Sequence, residues 1–129
     1  MIVQRPFYRH IGVVVLEAQD GASLVRLDPM AETANVRGDV HGGALATMLD
    51  AALANAARSV MAEGSGAATV NLSINYLAPG QGTLTARGRV VRAGRSLVSA
   101  EATITDAAGA VVAQAIGTLR VIAPKGASA

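Results

Sequence analysis

From His41 to about Glu63 the chain reads HGGALATMLDAALANAARSVMAE, with Leu45, Met48, Leu49, Ala52, Leu53, Ala56 and Val60 at the i, i+3, i+4, i+7 spacing of an apolar helical face. Asp50 and Arg58 are the only charges before Glu63, so this helix is nearly apolar all round. Such helices are buried on every side, and one sheet can cover only one of them. At 100° per residue Asp50 shares a stripe with Ala46, Ala54 and Ala57, small side chains that let another backbone come close. The pattern therefore predicts a second copy of the chain against that stripe, with Asp50 at a subunit interface. Gly64 and Gly66 flank a serine, and EGSG is the predicted stop.

Around the helix the periodicity is that of strands. Pro6–Gly12 suits a short helix with proline in its first turn, and IGVVVLEA and ASLVRL suit two strands joined in a hairpin at Asp20-Gly21. Residues 28–40 have loop composition. In AATVNLSINYL, Val70, Leu72, Ile74 and Tyr76 alternate with Thr69, Asn71, Ser73 and Asn75, the signature of a half-buried strand. Turn signals then separate TLTARGRVVR, SLVSAEATIT and AVVAQAIGTLR, which read as a meander. The expected fold is α+β: one domain over residues 1–129, an antiparallel sheet wrapped around one long helix, with the tail at 123–129 frayed.

Composition removes several function classes. The net charge of +2 is small, and the basic residues, ten arginines and Lys125, are spread along the chain and form no dense basic patch; aromatics are only 2%, so nucleic acid is not an expected partner. Asp50, Asn55 and Arg58 interrupt the longest apolar run, which argues against a membrane span. The absence of cysteine excludes disulfides and thiol nucleophiles and suits a reducing cytoplasm; no signal peptide is visible at the start. His10 and His41, two isolated histidines, make no metal site, and neither a G-x-S-x-G elbow nor a GxxxxGK loop is present.

Asn35 with VHGGALATMLDAAL, then TVNLSINYLAP and the RAGRS turn, resembles the hotdog-fold acyl-CoA thioesterases of the phenylacetate-degradation type, relatives of 4-hydroxybenzoyl-CoA thioesterase. The resemblance implies a sheet curled around the central helix and continued across a homodimer, often a dimer of dimers. It also implies cleavage of an acyl-CoA thioester at the interface, with no cofactor, CoA being part of the substrate. The family's helical acid falls on Asp50, as general base or nucleophile; its loop asparagine on Asn35; its HGG on His41, Gly42 and Gly43. A polar residue that helps place water falls on Thr69, where related enzymes carry serine or other residues. The CoA nucleotide binds near the turn that matches RAGRS, pointing to Arg92, Arg95 and the Gly94 and Ser96 amides as phosphate ligands.

The residues can supply this chemistry. Helix N-termini carry unpaired N–H groups and a positive dipole end, so the Gly42 and Gly43 amides suit a thioester carbonyl, with the Asn35 side chain as a further donor. Asp50 lies about two turns along the same helix, too far to serve its own N-terminus, which again calls for a second chain. Each residue also has a plainer role: an Asp50–arginine pair, a His41 helix cap, a tight glycine turn, an Asn35 turn cap, an ordinary strand threonine, and arginines that solvate a sheet edge. Two other functions remain open, a non-catalytic acyl-CoA-binding module and, on the same fold, a hydratase or dehydratase. The latter carry a catalytic histidine placed differently, usually followed by Phe-Pro, which HGG lacks.

Overall fold

A computed structural model describes residue 2 and residues 4–125. In chain order it contains α1 (Pro6–His10), β1 (Val13–Gln19), β2 (Ala22–Leu27), a 3₁₀ turn (Ala31–Thr33), α2 (Gly42–Arg58), β3 (Gly66–Tyr76), β4 (Leu84–Ala93), β5 (Leu97–Thr105) and β6 (Val111–Ile122). The strands form one sheet in the order β1-β2-β4-β5-β6-β3, antiparallel throughout. The expected α+β architecture is therefore present, as are the proline-started α1, the β1–β2 hairpin and the β4–β5–β6 meander. The hairpin turns at Asp20 (φ 53°) and Gly21 (φ 81°), positive angles that match the twist of the flanking strands. Strand β3 leaves α2 and crosses to the far side of the meander, where it pairs with β6 and makes one edge of the sheet.

The core lies between α2 and the concave face of the sheet. Leu45, Met48, Leu49, Ala52 and Leu53 are buried against Val13, Val25, Leu27, Leu84, Ile104 and Leu119. Gly88 allows this approach: the Ser23 hydroxyl donates to the Ala52 carbonyl at 2.6 Å beside it, and a side chain at 88 would collide with both. No described helix is long and apolar enough to cross a membrane.

Three expectations are corrected. Helix α2 ends at Arg58, short of Glu63, because the Ser59 hydroxyl donates to the Ala56 carbonyl (2.7 Å) and accepts the Gly21 N–H (2.8 Å). That ties the chain to the β1–β2 turn, and the next bonds, Val60 N–H to Ala57 and Met61 N–H to Arg58, are tightened turns. Ala57 is not on the open stripe of α2: it is fully buried, and the half-buried stripe runs Ala46, Asp50, Ala54, Arg58. Finally, the alternation of β3 does not hold along its whole length. Thr69 pairs with Leu119 and Asn71 with Thr118, leaving Val70 as an extra bulged residue. The pleat shifts phase there, so Thr69 joins Leu72, Ile74 and Tyr76 on the helix side while Asn71, Ser73 and Asn75 face outward. Of the tail, residues 126–129 lie outside the described residues, and 123–125 form no helix or strand.

Candidate active site

Apart from those of the β4–β5 hairpin, the predicted site residues gather in two groups, one at the start of α2 and one further along it, each reached by a side chain of β3. The first group is at the helix start. The loop before it closes on itself through an Ala34–Val40 bridge and turns at Gly38 (φ 85°). Asn35 organises the turn: its Oδ1 accepts the N–H of Arg37 (2.9 Å) and of Asp39 (3.1 Å). Two backbone donors fix which end of the amide is oxygen, and leave the Nδ2 group, which has no acceptor among the described residues, turned away from the loop. Asn35 is thus a turn cap that keeps a donor free.

His41 is the N-cap of α2. Its Nδ1 accepts the Gly43 N–H at 2.8 Å, and a side chain at 43 would crowd that ring nitrogen. The cap separates the two glycines. The Gly43 amide, expected as a free donor, is committed to His41, whereas the N–H of Gly42 has no acceptor among the described residues. The Tyr76 hydroxyl donates to the Gly42 carbonyl at 3.1 Å and its ring lies against Gly42. Asn35, Val40, Gly42, Leu45, Tyr76 and Gly80 line one cleft of about 390 Å³. The two residues that carry the free donors therefore border the same space.

The second group is centred on Asp50, eight residues further along α2 and so about 12 Å away. The carboxylate is half-buried, and its Oδ1 accepts the Thr69 hydroxyl at 2.6 Å. That contact depends on the Val70 bulge, because in an unbroken strand Thr69 would face away from the helix. No arginine forms an ion pair with Asp50 among the described residues. The phenol of Tyr8, packed on the edge of the core, has its pKa raised by burial first and then by the charge of Asp50, with Arg58 and Arg5 acting in the opposite direction. Burial, and then Arg5, lowers that of Arg58, whose guanidinium donates to Asn55 Oδ1. Burial of the Tyr8 side chain thus favours its neutral, protonated form.

The arginines lie elsewhere. Arg87, Arg89 and Arg92 are exposed on the outer sheet face; the bulge between Val90 and Arg92 keeps Arg92 there, opposite Ser99. Arg89 is paired with Glu101. Arg92, Arg95 and the Ser96 N–H have no partner among the described residues. The Gly94 amide is not available as expected: it donates to the Leu97 carbonyl (2.8 Å) and closes the hairpin. Tyr76 and Asp39 also border the cleft, beyond the residues that the sequence motifs point to. Tyr76 alone had a visible signal, its place on the helix-facing side of β3 just before Pro79-Gly80.

Residues 37–113 match the thioesterase superfamily. A Halobacterium salinarum protein named "putative esterase" is 35% identical over 122 residues, covering 86% of this chain and 81% of its own. Among solved structures, the Escherichia coli PaaI protein from the phenylacetic acid degradation operon superposes with a TM-score of 0.85 at 25% identity, covering 93% of this chain and 86% of its own. A Streptococcus mutans protein bound to acetyl CoA superposes with a TM-score of 0.79 at 30% identity, covering 87% and 90%. With the sheet-wrapped helix and the capped HGG start, these matches identify the chain as a member of the thioesterase superfamily, a thioester hydrolase built on the hotdog fold.

Proposed function

We propose that the protein hydrolyses acyl-CoA thioesters to the free acid and CoA, with aryl- or medium-chain acyl groups as substrates, at sites completed by a second copy of the chain. One observation carries the reading. The Asp50–Thr69 pair and the Gly42–Tyr76 pair lie at opposite ends of the same strand, β3, and its outer edge has no partner among the described residues. Within one chain the two ends cannot meet. In an antiparallel pairing of two β3 strands, residues directly opposite must point to the same face. Centred on Ser73, with the bulged Val70 skipped, such a pairing sets Leu72 against the partner's Ile74, Asn71 against the partner's Asn75 and Thr69 against the partner's Tyr76. Centring on Leu72 or Ile74 joins neither end to the other. The Ser73 register delivers Asp50 of one chain to Gly42 of its partner, twice per dimer. Exposed Ile116 and Val91 on the outer sheet face suit the pairing of two dimers.

In this assembly the thioester oxygen sits against the Gly42 N–H and the Asn35 Nδ2 group, whose dipoles stabilise the charge that develops on it. Thr69 holds one oxygen of Asp50 and leaves the other free. Asp50 then either attacks the carbonyl carbon, so that the C–S bond breaks and leaves an acyl–Asp50 anhydride that water hydrolyses to the free acid, or takes the proton of a water that attacks the carbonyl carbon and breaks the C–S bond directly; in both routes the CoA sulfur leaves as thiolate and takes up the proton given by the water. Arg92, Arg95 and the Ser96 amide receive CoA phosphates. The acetyl CoA held by the Streptococcus mutans relative and the operon of the Escherichia coli one support CoA thioesters and aryl acyl groups. The cysteine-free chain suits a reducing cytoplasm.

Release of CoA thiol from aryl-, phenylacetyl-, short- and medium-chain acyl-CoA, measured beside Asp50→Asn, tests this. The expected result is turnover selective for one class and a fall of about a hundredfold or more in the variant. Bound CoA esters with no turnover across the panel would instead make the protein a binding module.

A further inference from the structure

We propose that Asp39 and Gln81 form a brace that positions the Asn35 donor for catalysis; the inference rests on the function proposed above. Asp39 is 9% exposed, although burying a carboxylate is costly unless it is well bonded. Its Oδ1 accepts the Gln81 side-chain N–H at 2.8 Å, while Arg37, largely exposed, stands 3.8 Å from Oδ2 and contributes little. Gln81 is therefore the firm partner. Asp39 also touches Asn35 on both sides through its main chain, donating its N–H to Asn35 Oδ1 (3.1 Å) and accepting the Asn35 N–H on its carbonyl (2.7 Å). A second tie runs parallel, from the Val40 N–H to the Gly80 carbonyl at 2.9 Å.

The turn that aims Asn35 is thus pinned to the turn between β3 and β4 by one side-chain and one backbone bond. Asp39 lines the same cleft as Asn35 and Gly42. A negative charge there opposes the negative charge that grows on the thioester oxygen. What Asp39 contributes must then be orientation, bonded through Gln81, and not its charge. It is a positioning residue, acting through Asn35.

Gln81→Leu removes the donor and keeps the bulk. In the full-length protein it is expected to lower kcat about tenfold with KM within about twofold, since small misplacements of a catalytic group have effects of this order or larger. Asp39→Asn, which keeps an acceptor and drops the charge, should stay within about threefold of the unchanged protein. Added to Asn35→Ala, Gln81→Leu should cost nothing further; an additive loss, or an unchanged kcat in Gln81→Leu alone, overturns the proposal. Amide hydrogen exchange gives a readout independent of turnover. In Gln81→Leu the N–H groups of Arg37 and Asp39, both bonded to Asn35 Oδ1, should exchange about tenfold faster while α2 is unaffected. Unchanged exchange there also overturns the brace. A protein that cleaves no thioester in the panel refutes the proposed function instead, and the exchange result then stands as the measure of the brace.

Discussion

The sheet has two edges, and the chain treats them in opposite ways. Strand β1 is short, is bulged between Val15 and Glu17, and is closed from outside by one side chain: Gln4 donates to the Val15 carbonyl (2.7 Å) and accepts the Val15 N–H (3.0 Å). A glutamine amide has the same donor and acceptor as a peptide unit, so it occupies the place a neighbouring strand would take. Strand β3 is 11 residues long, has no such cover among the described residues, and carries both Thr69 and Tyr76. A sheet open at both edges can grow into an open-ended array, whereas one open at a single edge closes after one pairing. The asymmetry suits a dimer, and the open edge is the one along which the two halves of the proposed site would be set.

The strongest test of this contrast uses the absence of native cysteine. Under mild oxidation Ser73→Cys should convert to a disulfide-linked dimer almost completely, because at the proposed two-fold the paired Cα atoms come within the 4.4 to 6.8 Å that a disulfide spans, a range typical of such bonds and roughly that of opposed strand residues. Glu17→Cys, on the closed edge, should give only traces. Non-reducing electrophoresis reads both; equal cross-linking at the two edges would remove the distinction, and cross-linking at Asn71→Cys in place of Ser73→Cys would move the two-fold.

A smaller effect is expected inside the open edge. Thr69→Ala removes a hydrogen bond to a carboxylate, an interaction worth about 1.5 to 3 kcal/mol when intact. Partial replacement by water should leave a fall of about tenfold in kcat, with Thr69→Ser close to the unchanged protein. If Thr69→Ala hydrolyses thioesters at the full rate, the bulge at Val70 has no part in catalysis.

Much of this was legible in the residues. The spacing from Leu45 to Ala56 marked the helix, period-two runs marked the strands, and the HGG start and Asp50 marked the two ends of the proposed site. What was hidden depends on partners far along the chain. The helix stops at Arg58 because Ser59 reaches the Gly21 amide, a bond across 38 residues that no local pattern announces. The orientation of Thr69 was misread because a bulge is a property of a pair of strands: TVNLSINY alternates perfectly on its own, and only the register with β6 shows that Val70 is surplus. The roles of the glycines split for a similar reason, since the His41 ring takes the Gly43 amide and leaves that of Gly42. Asp39 passed unnoticed because its partner, Gln81, lies 42 residues away.

The smallest expected effect concerns the closed edge. Gln4→Ala removes two half-buried hydrogen bonds whose backbone partners on Val15 then face water, which replaces most of what is lost. The net cost should be about 1 kcal/mol, a drop in the unfolding temperature on the order of 3 to 5 °C for a chain of this size. Turnover per site should not change, since the side chain of Gln4 is hydrogen-bonded to Val15 and not to Asp50 or the Asn35 loop. The more telling measurement is the concentration dependence of the assembly mass. If the glutamine blocks strand addition, Gln4→Ala should form species larger than the unchanged protein does as its concentration rises, and Gln4→Glu, which cannot donate to the Val15 carbonyl, should do so less because its charge repels a second edge. An assembly mass that stays the same in both variants would mean that the bulge and short length of β1 keep that edge closed without Gln4.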